Sequence, residues 1–402
     1  MTMKNIKLLM IKIWMLFNSL ICFFLKILKT QNKITFISRQ TNKQNIDFEL
    51  FIEQIKGKKP TYKIVILNKK IEKGILKEIE YAFHVFKQMY HIATSKVVVL
   101  DGFCIAVSNL KHKKNTLIIQ LWHASGAIKK FGYQALDKKE GRNSELAKIL
   151  NMHKNYDLVI APSKATAKFY SEAFGISEEK IIINGLPRMD YILDDNLNRN
   201  KIEELYKEYP KFNDKTKQTI LYVPTFRQTN NSAEKIKELI NSIDYSKYNL
   251  IIKLHPLDKN KALVKNYTVN SKYNTYDLLK ISDYIITDYS AVAFEASLLN
   301  KPLFFYVYDI EKYEQIRGLN IDLFQEMKNA TSKKIEDIIK SIENNNYEYD
   351  ELDTFRNTYI ENVEGNNTEK LGKLLLNYID KGIVYEENKD IVNESSKKKL
   401  NV

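Results

Sequence analysis

Cysteine is nearly absent from this chain of 402 residues, and its scarcity excludes several kinds of protein. The two cysteines are Cys22, in an apolar N-terminal stretch, and Cys104, beside a predicted strand. Two residues so placed cannot form a disulfide framework or a zinc site, and this fits a reducing compartment. No pair of carboxylates has the placement of a magnesium site. We therefore expect neither a metal nor a cofactor.

Acidic residues are absent from the first thirty positions, where lysines surround apolar side chains. The uninterrupted apolar span between Lys12 and Lys26 is shorter than the roughly 20 residues that a membrane crossing needs. Asn18 and Ser19 also lie within it. A helix lying flat at a membrane interface, with lysine side chains extended toward the headgroups, fits this pattern better.

A cleaved signal peptide would share the basic start and the apolar centre of this segment. No small-x-small cleavage pattern follows Leu25, however. We predict that residues 1–30 form a retained membrane-associating segment on the cytoplasmic face of a membrane. The alternative is an amphipathic helix that docks on the protein itself.

The formal net charge of +14 suggests an anionic partner, but charge alone does not distinguish nucleic acid, lipid headgroups and phosphorylated metabolites. Lysines are spread evenly along the chain, and no known nucleic-acid motif is present. We therefore expect an anionic membrane surface as a partner and no nucleic acid. A non-enzymatic scaffold bound to a membrane or to nucleic acid is the corresponding alternative.

Beyond residue 30, short apolar runs alternate with helical patterns through two halves of the chain. This alternation predicts two Rossmann-like doubly wound α/β domains facing a cleft. We expect them at residues 31–205 and 206–385, the second with terminal helices, followed by a polar, disordered tail at 386–402. The predicted strands are residues 34–38, 62–67, 96–100, 117–123, 157–161, 181–184, 220–223, 250–254, 284–287 and 303–308. The predicted helices include residues 47–55, 75–94 and 164–174.

Two histidines stand at the ends of two of these apolar runs. His123 closes the run at 117–123, and His255 follows the run at 250–254. Parallel sheets place their ligand crevice outside the carboxyl ends of the strands, so both imidazoles could face one cleft. The alternative is an ordinary hydrogen-bonded histidine at a strand end. The remaining histidines, expected to be structural or solvated, are His84, His91, His112 and His153.

Three turns carry further candidate groups. Ser290 follows a predicted strand and can cap the next helix, which would leave backbone amides available to a phosphate; the alternative is an ordinary serine cap. Arg188 presents a planar fork that matches two phosphate oxygens, or it pairs with Asp190. Thr225 and Arg227 follow the strand at 220–223, where a loop with a solvated arginine is equally compatible with the sequence.

Together these turns resemble one family. Trp122-His123-Ala124-Ser125-Gly126 looks like the tryptophan-histidine-glycine-threonine signature of the CDP-glycerol glycerophosphotransferases, the teichoic acid primases and polymerases. The ordered set is far more specific than any single member, and the match runs from about residue 34 to about residue 322. The later motifs, in the family's order, are Gly185-x-Pro187-Arg188-x-Asp190, Tyr222-x-Pro224-Thr225-Phe226-Arg227, Lys253-Leu254-His255-Pro256, Thr287-Asp288-Tyr289-Ser290, Lys301-Pro302, Asp309, Tyr313 and Arg317-Gly318.

The resemblance implies a fold of the glycosyltransferase B type and peripheral attachment to the cytoplasmic face of a bacterial cell membrane. It also implies transfer of an alditol phosphate from CDP-glycerol or CDP-ribitol to a lipid-linked glycan acceptor, with release of CMP. By position, the catalytic residues would be His123 and His255. The residues that would contact the CDP-alditol are Trp122, Ala124, Ser125, Gly126, Arg188, Pro224, Thr225, Arg227, Lys253, Leu254, Asp288, Ser290, Ala291 and Glu295.

The chain departs from the family pattern at four of these positions. Ala124 and Ser125 replace the usual glycine and threonine, Ala291 replaces a second serine, and Glu295 replaces an aspartate. Alanine in place of glycine narrows the approach of the backbone to a phosphate, and Ala291 removes a hydroxyl on the donor side. The donor polyol is therefore left open.

The mechanism implied is in-line attack of an acceptor hydroxyl on the phosphorus that bears the alditol. Neutral His123 would take the hydroxyl proton. His255, Arg188, Lys253 and the helix start at Ser290 would hold the diphosphate and offset charge on CMP. The alternative role for His255 is that of an acid toward CMP.

A nucleotide-sugar glycosyltransferase of the same fold, acting in capsule or surface polysaccharide synthesis, is the alternative enzyme. Such enzymes often place two glutamates after the phosphate-binding turn. Between residues 285 and 305 the acidic residues are Asp288 and Glu295 alone, which favours the alditol-phosphate reaction.

Overall fold

The computed structural model describes residues 3–72, 74–227 and 232–381. The whole of the predicted polar tail at 386–402, with its predicted disorder, lies outside the described residues. Two compact units form the chain. Among the described residues, unit 1 comprises 3–123, 131–188 and 366–381, and unit 2 comprises 124–130 and 189–365.

Both units are built from parallel strands and covering helices, which confirms the α/β prediction. The strands are β1 Gln31–Ser38, β2 Lys63–Asn68, β3 Ser95–Leu100, β4 Leu117–Gln120, β5 Leu158–Ala161, β6 Ile181–Ile183, β7 Gln218–Tyr222, β8 Tyr248–Ile252, β9 Tyr284–Thr287, β10 Leu303–Tyr306 and β11 Thr331–Ser332. The helices are α1 Met3–Leu25, α2 Ile46–Lys58, α3 Ile75–Thr94, α4 Ile105–Ser108, α5 Ser144–Ile149, α6 Lys164–Phe174, α7 Pro187–Leu193, α8 Arg199–Glu208, α9 Ser232–Ser242, α10 Thr275–Ile281, α11 Val292–Ser297, α12 Ile310–Ile316, α13 Leu323–Glu326, α14 Ile335–Glu343, α15 Tyr349–Tyr359 and α16 Asn367–Lys381.

The sheet of unit 1 has the strand order β2-β1-β3-β4-β5-β6, and that of unit 2 the order β11-β10-β9-β7-β8. Every pairing is parallel. The strand order reverses between β1 and β3 in unit 1 and between β7 and β9 in unit 2. Ligands of doubly wound sheets bind outside the carboxyl ends of the strands at such reversals. A ligand site is therefore expected at the loops after these strands.

The boundary between the units differs from the one expected at residue 205. It lies at 188/189, and α16 returns to unit 1. The reason is packing: Leu371 and Leu375 of α16 share a buried core with Phe48 and Phe51 of α2 and with the β1–β3 strands. A periodic pattern of apolar residues predicts a helix, but it does not predict against which sheet the helix packs.

The strand before each candidate histidine ends earlier than predicted. β4 ends at Gln120 and β8 at Ile252, so each histidine lies three residues beyond its strand. In unit 1 the cause is Trp122, whose φ of 64° places it in the left-handed region, where a strand cannot continue. The position of both histidines after a parallel strand is confirmed.

Helix α1 is longer than its uninterrupted apolar span suggested, because it continues through Lys12. Its window Leu8–Leu25 has a mean hydropathy of 2.1, so the helix is long and apolar enough to cross a membrane by length and composition. Asn18 and Cys22 are buried, and the rings of Phe17 and Phe86 meet edge to face at 6.2 Å. One side of α1 is thus docked on α3, while most of its apolar side chains are exposed.

Candidate functional site

The loops after β1, β3 and β4 come together around His123 in unit 1. The imidazole Nδ1 of His123 lies 3.0 Å from the main-chain oxygen of Asp101, just after β3. It also lies 3.3 Å from the amide nitrogen of Gln40, just after β1. Gly102 leaves room for the side chain of Gln40, since a Cβ at this position would lie 3.0 Å from that amide nitrogen.

These contacts fix the tautomer of a neutral His123. A peptide oxygen can only accept a hydrogen bond, so the Nδ1 that faces it at the shorter distance carries the proton. The more distant amide nitrogen of Gln40 cannot donate to a protonated Nδ1. The Nε2 atom of neutral His123 therefore carries the lone pair, as a general base requires.

Trp122 sets the direction of the chain at His123. Its backbone N–H donates to the side-chain oxygen of Gln120 at 2.9 Å, while the Gln120 amide donates to Gly102 at 3.0 Å. Its ring stacks on Phe131 at 5.0 Å and contacts His123 at 4.1 Å. Strained backbone of this kind persists only when its surroundings hold it, and it is common at functional sites.

Arg188 lies in unit 1, where it pairs with Asp47. Its Nε lies 2.9 Å from one oxygen of Asp47, its Nη2 bonds the same oxygen, and its backbone N–H donates to the other at 2.8 Å. Its Nη1 donates to the main-chain oxygen of His123 at 3.0 Å. Asp47 is 141 residues away in sequence, so no local pattern could reveal it.

In unit 2, the loops after β7 and β9 are joined by Asp288. This fully buried carboxylate accepts from the backbone N–H of Thr225 at 2.9 Å and from Arg227 at 2.7 Å. Arg227 also donates through Nε and Nη2 to the two oxygens of Asp309, at 2.9 and 3.0 Å. Asp288 and Arg227 thus hold the β7 and β9 loops together.

Aromatic rings enclose the same guanidinium. Tyr289, Tyr308 and Tyr313 lie 5.2 to 5.4 Å from its central carbon. Burial alone would lower the pKa of Arg227, but Asp288 and Asp309 raise it above its ordinary value. The sequence was compatible with two roles for Arg227, a contact to the donor or a solvated loop arginine. The structure shows a buried arginine between two carboxylates.

Segment 124–130 brings two of the predicted donor contacts together in unit 2. The hydroxyl of Ser125 donates to Glu295 at 2.8 Å, and both side chains are buried. Gly126 lies against Phe294 so closely that a Cβ would come within 2.3 Å of the ring. Lys129 reaches to 3.5 Å from the hydroxyl of Thr225. Lys129 is a cation at this site that the sequence prediction did not include.

The same segment is held by residues 317–320. Lys130 donates to the main-chain oxygen of Gly318 at 2.9 Å, and Arg317 donates to that of Lys130 at 2.9 Å. Asn320 adds bonds to the oxygens of Ile128 and Ala127, at 2.7 and 3.1 Å. The Arg317-Gly318 motif therefore supports the loop that carries Ser125.

His255 and Lys253 follow β8, next to β7. The Nδ1 of His255 accepts the backbone N–H of Leu257 at 3.2 Å, so the neutral ring carries its proton on Nε2. Its ring faces Phe226 at 5.3 Å, and the side chain is exposed. Lys253 donates to the main-chain oxygen of Tyr273 at 2.9 Å, and burial lowers its pKa.

The helix after β9 begins one residue later than expected. Ala291, not Ser290, is its N-cap residue, and the Ser290 hydroxyl lies 3.4 Å from the backbone nitrogen of Val292. The helix has only six residues, so its dipole is weak. Ser290 therefore contributes a hydroxyl and its backbone turn to this loop. The helix that follows is too short to add the strong dipole that the sequence suggested.

The remaining predicted positions flank these groups. Pro224 and Leu254 are half-buried next to Thr225 and Lys253. His153, expected to be structural or solvated, is buried, bonds the hydroxyl of Tyr156 at 3.0 Å and packs against Phe174. Burial lowers its pKa to about 3, which is the behaviour of a structural histidine.

Replacement of Arg227 tests its support of unit 2. Arg227→Met leaves Asp288 and Asp309 without their shared cation, so we expect a loss of about 3 to 5 kcal/mol in the free energy of unfolding. Urea denaturation measures it. The matched control is Arg356→Met, which breaks a partly exposed pair with Asp353 and should cost less than about 1 kcal/mol. Equal losses in the two variants would contradict the role given to Arg227.

Asp101 predicts a dependence of stability on pH. Burial, with a smaller contribution from Asp47, raises its pKa to about 6, whereas an unfolded chain has a value of about 3.9. The folded state binds the extra proton between these values, so the free energy of unfolding falls as pH rises through that window. Asp101→Asn should remove about 2 kcal/mol of this fall between pH 4 and pH 7. Denaturation curves that change with pH equally in both proteins would exclude it.

A family model described as CDP-Glycerol:Poly(glycerophosphate) glycerophosphotransferase matches residues 19–377. The chain is 31% identical over 363 residues to a teichoic acid ribitol-phosphate primase of Bacillus spizizenii, covering 87% of this chain and 92% of that protein. It is 29% identical over 395 residues to a teichoic acid glycerol-phosphate primase of Bacillus subtilis, covering 94% and 99%.

The fold is shared with solved structures. A structure of the wall teichoic acid polymerase TagF matches with a TM-score of 0.69 at 20% identity, over 89% of this chain and 91% of that chain. A UDP-GlcNAc 2-epimerase from Neisseria meningitidis matches with a TM-score of 0.57 at 16% identity, over 86% and 99%. Because the family model spans most of the chain and the curated relatives match along nearly their whole length, the protein belongs to the CDP-glycerol:poly(glycerophosphate) glycerophosphotransferase family and is a phosphotransferase of the teichoic acid primase and polymerase class.

Proposed function

We propose that the protein transfers glycerol phosphate or ribitol phosphate from a CDP-alditol to a hydroxyl of a lipid-linked teichoic-acid-like or capsular glycan. The acceptor oxygen forms a bond to the phosphorus that bears the alditol. The bond from that phosphorus to the oxygen of CMP breaks, and CMP leaves with the electron pair. The observation that carries the proposal is that Nδ1 of His123 faces a main-chain oxygen, whereas Nδ1 of His255 faces a backbone N–H.

His123 is the proton acceptor in this proposal. Its Nδ1 is bonded to the oxygen of Asp101, so Nε2 is the atom that takes the proton of the acceptor hydroxyl. Histidine is the side chain that most often serves as a general base in enzymes. General base catalysis of this kind contributes roughly 10² to 10⁴ in rate.

His255 is the donor-side histidine. Its Nε2–H is the atom that donates to an oxygen of the diphosphate, because Nδ1 accepts from Leu257. CMP is a good leaving group and needs little protonation, so the value of this hydrogen bond lies in offsetting negative charge as the phosphorus–oxygen bond breaks.

Other groups of unit 2 complete the donor site in this proposal. Lys253, just after β8, and Lys129, which lies 3.5 Å from the Thr225 hydroxyl, supply positive charge, and Thr225 and Ser290 supply hydroxyls. A diphosphate carries negative charge that two lysines and a histidine can offset. A TagF structure obtained after soaking with CDPG, with a TM-score of 0.68, shares this fold.

The polyol of the donor is either glycerol or ribitol. The chain is 31% identical to a ribitol-phosphate primase and 29% identical to a glycerol-phosphate primase, so identity does not separate the two. A comparison of both donors therefore belongs in every assay.

Substitution of each histidine tests the proposal. We expect His123→Ala to reduce kcat roughly 10²- to 10⁴-fold, with little change in donor binding, because the base does not hold the nucleotide. We expect His255→Ala to weaken stabilisation by CDP-glycerol or CDP-ribitol as well. Transfer from radiolabelled donor to a lipid-linked acceptor and thermal shifts with each donor, CMP and UDP-sugars give the two readouts.

The control is His84→Gln, a change on α3 away from both sites. Full transfer activity in His123→Ala would remove it from the mechanism. Stabilisation by UDP-sugars but by neither CDP-alditol would overturn the donor class and support the nucleotide-sugar glycosyltransferase instead.

We further propose that the protein works at an anionic membrane surface with α1 lying in the interface on the cytoplasmic face. Support comes from apolar side chains that remain exposed on the docked helix, among them Leu16, Leu20 and Phe23. Leu76 and Phe83 on α3 are exposed as well, at 82% and 68%. Lysines at both ends of α1 suit anionic headgroups.

Vesicle sedimentation tests this attachment. Leu16→Ser/Leu20→Ser/Phe23→Ser removes three apolar contacts, so we expect binding to phosphatidylglycerol vesicles to fall at least roughly tenfold. Leu197→Ser, a single exposed leucine of unit 2, is the control. The wild-type protein should leave the vesicles in alkaline carbonate; retention there would show a membrane-spanning helix and contradict interfacial attachment.

A further inference from the structure

The guanidinium of Arg188 binds the buried carboxylate of Asp47. Resting on the proposed role of His123 as the base, we propose that Arg188 is a positioning residue: held by Asp47, it fixes the main chain at His123 and does not bind the CDP-alditol. This departs from the role that the family resemblance suggested for Arg188, and it adds Asp47 to the residues on which the reaction depends.

The guanidinium is already occupied on the edge that would grip a phosphate. An arginine binds an oxyanion best through two parallel N–H groups, and here the Nε and Nη2 pair faces the carboxylate of Asp47. The positive charge is balanced by that carboxylate, and the two residues are only 7% and 1% exposed. A diphosphate would have to displace a buried carboxylate to gain the same two bonds.

The remaining nitrogen points to the base. Nη1 of Arg188 donates to the main-chain oxygen of His123 at 3.0 Å. This oxygen belongs to the residue that directly follows Trp122, whose left-handed φ of 64° needs support from its surroundings. The bond from Arg188 holds the peptide after His123, and Gln120 holds the peptide before Trp122. The strained turn is thus fixed on both sides.

The start of α2 supports both the imidazole ring and the main chain of His123. Asn45, the N-cap residue of α2, donates to the carboxylate of Asp101 at 2.8 Å, and the main-chain oxygen of Asp101 bonds Nδ1 of His123. Two residues later, Asp47 holds Arg188. One helix start therefore orients the ring through Asp101 and the backbone through Arg188.

Loss of the guanidinium should misplace the imidazole without emptying the donor site. Displacement of a reacting group by about 1 Å can cost on the order of 100-fold in rate. We expect Arg188→Lys, which keeps the charge but loses the planar fork, to lower kcat roughly 10- to 100-fold. The affinity for CDP-glycerol or CDP-ribitol should change less than about threefold, because Arg188 does not contact the donor in this proposal.

A double-mutant cycle separates positioning from a direct donor contact. If Arg188 acts through His123, adding Arg188→Lys to His123→Ala produces no further fall in kcat. If Arg188 binds the donor, the two losses multiply and donor affinity falls about tenfold or more. The second result would overturn the proposal.

Two further measurements keep the proposal falsifiable. Asp47→Asn/Arg188→Gln removes both buried charges and keeps amide hydrogen bonds, and it should show the same loss of kcat with donor affinity retained; unchanged kcat would contradict the proposal. ¹⁵N spectra of histidine-labelled protein report the tautomer of His123 without any assay. Arg188→Lys should shift His123 away from the Nδ1–H form, whereas an unchanged signal would count against positioning.

The same spectra distinguish this inference from the proposed function. Full activity in His123→Ala refutes the base, yet a His123 signal that depends on Arg188 would still show that the arginine orients the ring. Arg356→Lys is the matched control, because Arg356 also pairs with an aspartate but lies on α15. It should change neither the signal nor the kinetics.

Discussion

The hydrogen bond from a backbone N–H to a buried aspartate is the interaction on which the candidate site residues of both units depend. Parallel strands end in loops whose amides lack a partner in the sheet, and buried amides must be bonded. Asp288 accepts from Thr225 in unit 2, and Asp47 accepts from Arg188 in unit 1. Each aspartate also binds an arginine side chain, so that a backbone hydrogen bond and an ion pair together hold each loop.

Local sequence predicts the bounds of a helix or strand well where one apolar face or one helix stop signal determines them. Helix α3 and strand β9 have the predicted bounds, and α6 ends before Gly175, which adopts the left-handed φ of 63° that a helix stop requires. Strand β11 was missed because two residues carry no periodicity. Strand β4 was overextended because nothing in the sequence of Trp122 announces a left-handed backbone.

The candidate site could be predicted by residue type and order, but not by contact. The positions of His123 and His255 after parallel strands follow from the sequence alone. The partners of Arg188 and Arg227 do not, because Asp47 and Asp309 are distant in sequence. An arginine in a loop looks the same whether it meets a phosphate, water or a buried carboxylate. Only the folded chain distinguishes these cases, and here both arginines meet carboxylates.

The path of the chain between the two units has a consequence for how the protein folds. Unit 1 is interrupted by residues 124–130 and is completed only by residues 366–381. Its core needs Leu371 and Leu375, which are made after all of unit 2. During synthesis, unit 1 therefore leaves the ribosome with an incomplete core, and the apolar face of α2 stays uncovered until residues 366–381 have been made. Contacts between such distant parts of a chain form slowly, and apolar surface that stays exposed in the meantime is prone to aggregate.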